Sequence, residues 1–216
     1  MLEILVEARN ALGECVLWCD RTGRVLWTDI LGATLWAYDG REVRSWSMPE
    51  PLASFALTGD DDRLLLGLAS RLAFFNFSTG VVSTICEVEA DLPGTRLNDG
   101  RCDRQGRFVF GTFNQDLPHQ PIGGFYRLNC DLTLEKLPLP LVAIANSTCF
   151  SPDGATMYFC DSPDRLIRCC DYDPASGAIS NVRVFATLEG GSGEPDGSCI
   201  DAEGYPEGLS RAVLVQ

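Results

Sequence analysis

The strongest constraint on how this chain can fold is a polar, glycine-containing turn that keeps returning between short apolar runs. Cys19-Asp20-Arg21-Thr22-Gly23-Arg24 is echoed by Cys102-Asp103-Arg104-Gln105-Gly106-Arg107. Gly59-Asp60-Asp61-Asp62-Arg63 and Phe150-Ser151-Pro152-Asp153-Gly154 are related units, and a fifth opens at Ile200-Asp201-Ala202-Glu203-Gly204. Such turns favour hairpins, because Gly and Asx residues accept the backbone angles that a tight reversal demands. Each of the first four is followed by an aromatic-bearing run such as Leu35-Trp36-Ala37-Tyr38 or Gly124-Phe125-Tyr126-Arg127. The turns recur roughly every 40 to 50 residues, the length of a four-stranded propeller blade. Helical periodicity is hard to find, and an all-β sandwich would alternate without this long-period echo. The expected fold is all-β: a β-propeller with about four blades and the start of a fifth.

Blade arithmetic adds a second expectation. The 216 residues, at roughly 45 per blade, make just under five blades. After Tyr205 the chain reads Pro206-Glu207-Gly208-Leu209-Ser210-Arg211, where an apolar strand with an aromatic is due. A proline there withholds a ladder donor. The sequence thus divides into a partial propeller over 1–205 and a tail over 206–216, read as a truncated or frame-altered end. A natural five-bladed ring with an unusual last blade is the alternative.

The formal net charge of -13 argues against nucleic acid or an anionic membrane as partner, since both reward Lys/Arg patches. No run approaches the roughly 18 apolar residues of a membrane span, and the start lacks the basic and apolar regions of a secretory signal. A cytoplasmic protein is expected. In a reducing compartment its 10 cysteines read as small hydrophobes rather than a disulfide framework. Cys169 and Cys170 are adjacent, and no Cys-x-x-Cys zinc pair occurs. The one histidine, His119 between Pro118 and Pro121, excludes a multi-histidine metal site and reads as a surface-loop residue.

Four polar clusters stand just before the turn motifs: Leu12-Gly13-Glu14-Cys15, Arg96-Leu97-Asn98-Asp99-Gly100, Ala145-Asn146-Ser147-Thr148 and Glu194-Pro195-Asp196-Gly197. The repeat puts them at equivalent ends of successive blades, where loop ends converge on a central channel. Glu14, Asn146 and Asp196 would then face one channel as a hard, oxygen-rich set. That set suits Ca2+, Mg2+ or Mn2+ better than a structural zinc. Asn-Asp-Gly and Pro-Asp-Gly are also ordinary turn sequences, and spacing alone leaves both readings open.

These strings, in order and at blade spacing, resemble the gluconolactonase/regucalcin (senescence-marker-protein) family over about residues 1 to 205. The most specific is Pro195-Asp196-Gly197-Ser198-Cys199-Ile200-Asp201-Ala202-Glu203-Gly204. The resemblance implies a six-bladed propeller with one divalent cation in its channel, Ca2+ first, with Zn2+, Mn2+ or Mg2+ as alternatives. It implies Glu14, Asn146 and Asp196 as metal ligands. Arg96 and Asn98 would contact a small-molecule sugar lactone, and Asp116 would supply a further acidic contact. The implied activity is metal-dependent hydrolysis of an aldonolactone to the aldonic acid, with Asp196 as general base. Asn98 could donate to one sugar oxygen and accept from another. The rivals are a non-enzymatic calcium-binding or regulatory propeller, an organophosphate ester hydrolase, and a lactonase made inactive by an incomplete ring. Oligomeric state leaves no mark in the sequence.

Overall fold

In the computed structural model, which describes residues 4–190, 193–201, 203 and 206–207, consecutive hairpins build four antiparallel sheets of four strands each. The first holds β1 (Gly13–Cys19), β2 (Arg24–Asp29), β3 (Thr34–Tyr38) and β4 (Val43–Ser47). The second holds β5 (Leu52–Leu57), β6 (Arg63–Leu68), β7 (Arg71–Asn76) and β8 (Val82–Glu87). The third holds β9 (Thr95–Cys102), β10 (Phe108–Asn114), β11 (Phe125–Leu128) and β12 (Leu134–Lys136). The fourth holds β13 (Ala145–Phe150), β14 (Thr156–Asp161), β15 (Leu166–Tyr172) and β16 (Ile179–Thr187). Every sheet is a meander in chain order, so each expected turn motif joins the first two strands of a blade. The inner strands β1, β5, β9 and β13 pack side by side, as propeller blades do around a channel. Among the described residues no helix is long and apolar enough to cross a membrane.

A fifth hairpin begins with β17 (Cys199–Ile200) and β18 (Pro206–Glu207), and β17 lies against β13. Pro206 is the first residue of its strand, opposite Ile200, a position where a missing N–H is tolerated. The rest of the tail expected over 206–216 lies outside the described residues.

Blades hold together by burying their faces on one another. Three apolar clusters fill the three gaps: Leu26, Leu35, Phe55 and Phe75 between the first and second blades; Leu72, Leu97, Phe108 and Phe110 between the second and third; Phe125, Ala145, Met157 and Phe159 between the third and fourth. Six phenylalanines are almost completely buried, each stabilising the fold by about 1.5–3 kcal/mol. Edge-to-face pairs cross the gaps, as with Trp46 and Phe75 or Phe125 and Phe159. A buried polar clamp also ties the third blade to the fourth. Asp103 accepts from the Arg107 side chain, from Tyr172 Oη at 2.7 Å, and from the Gln105 and Arg107 backbone amides. All ten thiols are free; five are buried, and Cys130 and Cys199 are exposed.

Each inner strand carries the same irregularity. Pairing slips by one residue between Glu14 and Leu17, between Leu52 and Ser54, opposite Leu97–Gly100, and between Asn146 and Cys149. A bulge of this kind re-aims side chains where a strand meets a site. It also decides the ambiguity over Asn98-Asp99-Gly100, which lies within β9 rather than in a turn. Gly100 is required there by packing: a Cβ would stand 2.7 Å from the Phe108 ring and 2.8 Å from Phe110 Cβ. Pro195-Asp196-Gly197 is irregular backbone leading into β17.

Candidate functional site

The bulges open onto a cavity of about 290 Å3 at the inner strands. All five residues expected from the sequence line it: Glu14 from β1, Arg96 and Asn98 from β9, Asn146 from β13, and Asp196 from the segment before β17. A larger groove of about 520 Å3, bordered by Arg24, Asp39, Arg44 and Asp62, contains none of them. The smaller cavity is assigned as the site, because convergent polar groups and a displaced pKa mark chemistry better than volume does.

Its polar groups form one chain of hydrogen bonds. Arg96 Nη1 donates to Asn98 Oδ1 at 2.8 Å and to Leu97 O at 2.8 Å. Asn98 Nδ2 donates to Ala145 O at 2.8 Å and to Asn146 Oδ1 at 3.1 Å. Asn146 Nδ2 donates to Ser162 Oγ at 2.9 Å, whose hydroxyl donates to Pro195 O at 2.7 Å. Ser147 Oγ donates to Asp196 O at 2.6 Å. The irregular Pro195–Asp196 segment is thus held from two sides by hydroxyls of the fourth blade. Both amide hydrogens of Asn98 are committed, so it retains only a lone pair on Oδ1 for a ligand.

The electrostatics are those of crowded acids. Burial, then the charges of Asp196 and Asp99, push the Glu14 carboxyl up to about 7, with Arg96 opposing. Burial likewise raises Asp99, although Arg101 and the Thr148 N–H counteract it. Arg96 falls to about 10 through burial, with Glu14 opposing. Its guanidinium stands 4.6 Å from the centroid of Phe113, which also lines the cavity. Among the described residues no three His, Cys, Asp or Glu side chains group as a metal site by themselves. Any cation site here needs the Asn146 amide beside the carboxylates.

Asp116 is exposed, lies near Gly94, and is not among the lining residues. Phe113 forms that wall instead. His119 stacks edge-on against Phe113 at 5.1 Å and also lies outside the lining. Sequence reasoning missed Asp99, Ser162 and Ser147. Asp99 was masked by its resemblance to a turn, and the serines gave no signal beyond their place in the blade.

The SMP-30/Gluconolactonase/LRE-like region matches residues 12–206. L-arabinolactonase of Azospirillum brasilense is 56% identical over 204 residues, which cover 93% of this chain and 67% of that protein. Regucalcin of Xenopus laevis is 32% identical over 209 residues, 94% of this chain and 69% of that one. The crystal structure of a calcium-binding protein, regucalcin, from Agrobacterium tumefaciens matches with a TM-score of 0.84 at 31% identity, over 91% of this chain and 66% of that chain. A gluconolactonase from Xanthomonas campestris matches in fold with a TM-score of 0.73 at 22% identity, over 91% and 69%. The chain therefore spans about two thirds of the length of each of these relatives.

Proposed function

The chain belongs to the SMP-30/gluconolactonase/LRE-like family, which includes proteins named as lactonases, and on that premise we propose that it opens a sugar aldonolactone to the aldonic acid with one divalent cation held by Glu14, Asn146 and Asp196. The observation that carries this reading is the crowding of acids in one cavity, with Glu14 raised to about 7 by burial and by Asp196 and Asp99. A divalent cation relieves that crowding, and the carboxylate–amide–carboxylate donor set fits a hard ion such as Ca2+. Asn146 Oδ1 uses one lone pair on Asn98 and keeps the other for such an ion.

When bound, the cation supplies Lewis-acid polarisation of the lactone carbonyl and acidifies a water molecule. The protein's own groups do the rest. Asp196 takes a proton from the attacking water as general base. Arg96, held in place by Asn98 and Phe113, offers its remaining N–H groups to ring or hydroxyl oxygens. The free lone pair on Asn98 Oδ1 accepts from a sugar hydroxyl. Leu12, Ile30 and Ile144 supply apolar walls that limit water around the developing negative charge. The identity to a protein named L-arabinolactonase makes L-arabinolactone the first substrate to test. Ten free thiols suit a cytosolic setting.

The test is the rate of acid release from several aldonolactones, with Ca2+, Mn2+, Mg2+ or Zn2+ and after chelation. Metal-dependent turnover is expected. Tight cation binding without turnover on any lactone would instead favour the non-enzymatic calcium-binding reading, and turnover indifferent to chelation would overturn the cation's role.

A further inference from the structure

Two buried aspartates outside the ligand set repeat one another almost atom for atom. Asp29 ends β2 and Asp161 ends β14. Asp29 Oδ2 accepts from Ala11 N at 3.0 Å and Oδ1 from Leu12 N at 2.9 Å. Asp161 Oδ2 accepts from Ala143 N at 2.9 Å and Oδ1 from Ile144 N at 2.8 Å. The next residue closes each loop: Ile30 N donates to Leu12 O at 2.9 Å, and Ser162 N to Ile144 O at 3.0 Å. In both blades the clamped pair stands immediately upstream of the inner strand. Glu14 follows Leu12 by two positions, and Asn146 follows Ile144 by two. Each aspartate also pairs across the ladder with the residue just before the candidate ligand, Gly13 or Ala145.

The other two blades lack the device. Counted from the bulge, the corresponding residues are Ala69 in the second blade and Phe113 in the third. A purely structural requirement of the blade would appear in all four. Here the aspartate is present only where the inner strand delivers a candidate ligand. In the fourth blade it also fixes Ser162, which holds both Asn146 Nδ2 and Pro195 O and so reaches the Asp196 segment.

We propose that Asp29 and Asp161 are positioning residues, which lock the strand entries so that Glu14 and Asn146 meet one cation without rearrangement. They touch neither cation nor substrate and act through the backbone, as carboxylates outside a metal's ligand shell commonly do. The inference rests on the assignment of Glu14 and Asn146 as ligands, so the experiment tests both.

Ca2+ affinity is measured by calorimetry on the 216-residue chain at high ionic strength, which screens the effect of simply removing a charge. Glu14→Gln and Asn146→Ala test the ligands, Asp29→Asn and Asp161→Asn the clamps. Asp103→Asn is the control, a buried carboxylate that holds backbone amides away from the cavity. Both clamp variants are expected to lose about 10- to 100-fold in affinity, with Asp103→Asn unchanged in affinity although it lowers Tm. Clamp variants with lowered Tm but wild-type affinity would overturn the positioning role while leaving the ligands intact. An unchanged affinity in Glu14→Gln and Asn146→Ala would overturn the ligand assignment, and the clamps with it. A measurement on the unaltered protein guards against variants that fail to fold. Saturating Ca2+ should slow hydrogen exchange at Ala11, Leu12, Ala143 and Ile144 more than at Gln105 and Arg107. Equal slowing at both sets would overturn the inference.

Discussion

Replacing Glu14 with glutamine reads the energetic cost of ionising a carboxyl that is buried and set beside other acids. In chelated protein the folded state keeps the Glu14 proton up to about pH 7, whereas the unfolded chain releases it near 4.5. Between those values the native state carries the extra proton, so its stability falls as pH rises through the window and stays lower above it. A carboxyl carried from 4.5 to about 7 costs on the order of 3 kcal/mol once ionised. Glutamine keeps the shape and does not ionise. The variant should therefore match wild type near pH 4.5 and exceed it at pH 8 by up to about 3 kcal/mol, at about 2–4 °C of Tm per kcal/mol for a chain of this size. The assay is thermal unfolding in chelator at pH 5 and pH 8, repeated at pH 8 with Ca2+. Wild type should gain about 2.7 kcal/mol at a hundredfold excess over Kd, and the variant much less. A wild-type-to-variant difference that does not change with pH would refute the account of Glu14 as a carboxyl raised by burial and neighbouring acids.

Asp196→Asn should abolish lactone turnover, read as initial rate; retained turnover with bound cation would remove Asp196 as base. Asp103→Ala strips Arg107 and Tyr172 of their buried partner, and breaking such a pair should cost about 3–5 kcal/mol in unfolding free energy. Phe113→Ala should lose a cation–π contact with Arg96 worth about 1 kcal/mol, read as a fall in Tm of at least about 2–4 °C. Under native conditions a thiol-alkylating reagent should label Cys130 and Cys199 first. Mass spectrometry should find Cys149 and Cys160 protected, both buried and raised to about 12 by that burial.

The blades are legible in the amino-acid string alone. A turn needs Gly and Asx chemistry at the reversal, and a strand needs alternation beside it. Both are local, so Asp20–Gly23 and Asp103–Arg107 announce their hairpins without knowledge of any neighbour. The repeat also pointed Glu14, Asn146 and Asp196 toward one channel, while Arg96 and Asn98 came from the family resemblance of their string. What those residues do to one another is settled by folding. Asn98-Asp99-Gly100 reads as a turn until Phe108 and Phe110 press against Gly100 from the paired strand. The elevation of Glu14 comes first from burial and then from Asp196 and Asp99, which lie far away in sequence and come close only when blades stack. Asp29 and Asp161 look like ordinary strand-end acids, and their roles appear only where the chain returns to give each carboxylate two backbone amides. Local propensity is written residue by residue, whereas electrostatic crowding and backbone clamping arise from distances that folding alone creates.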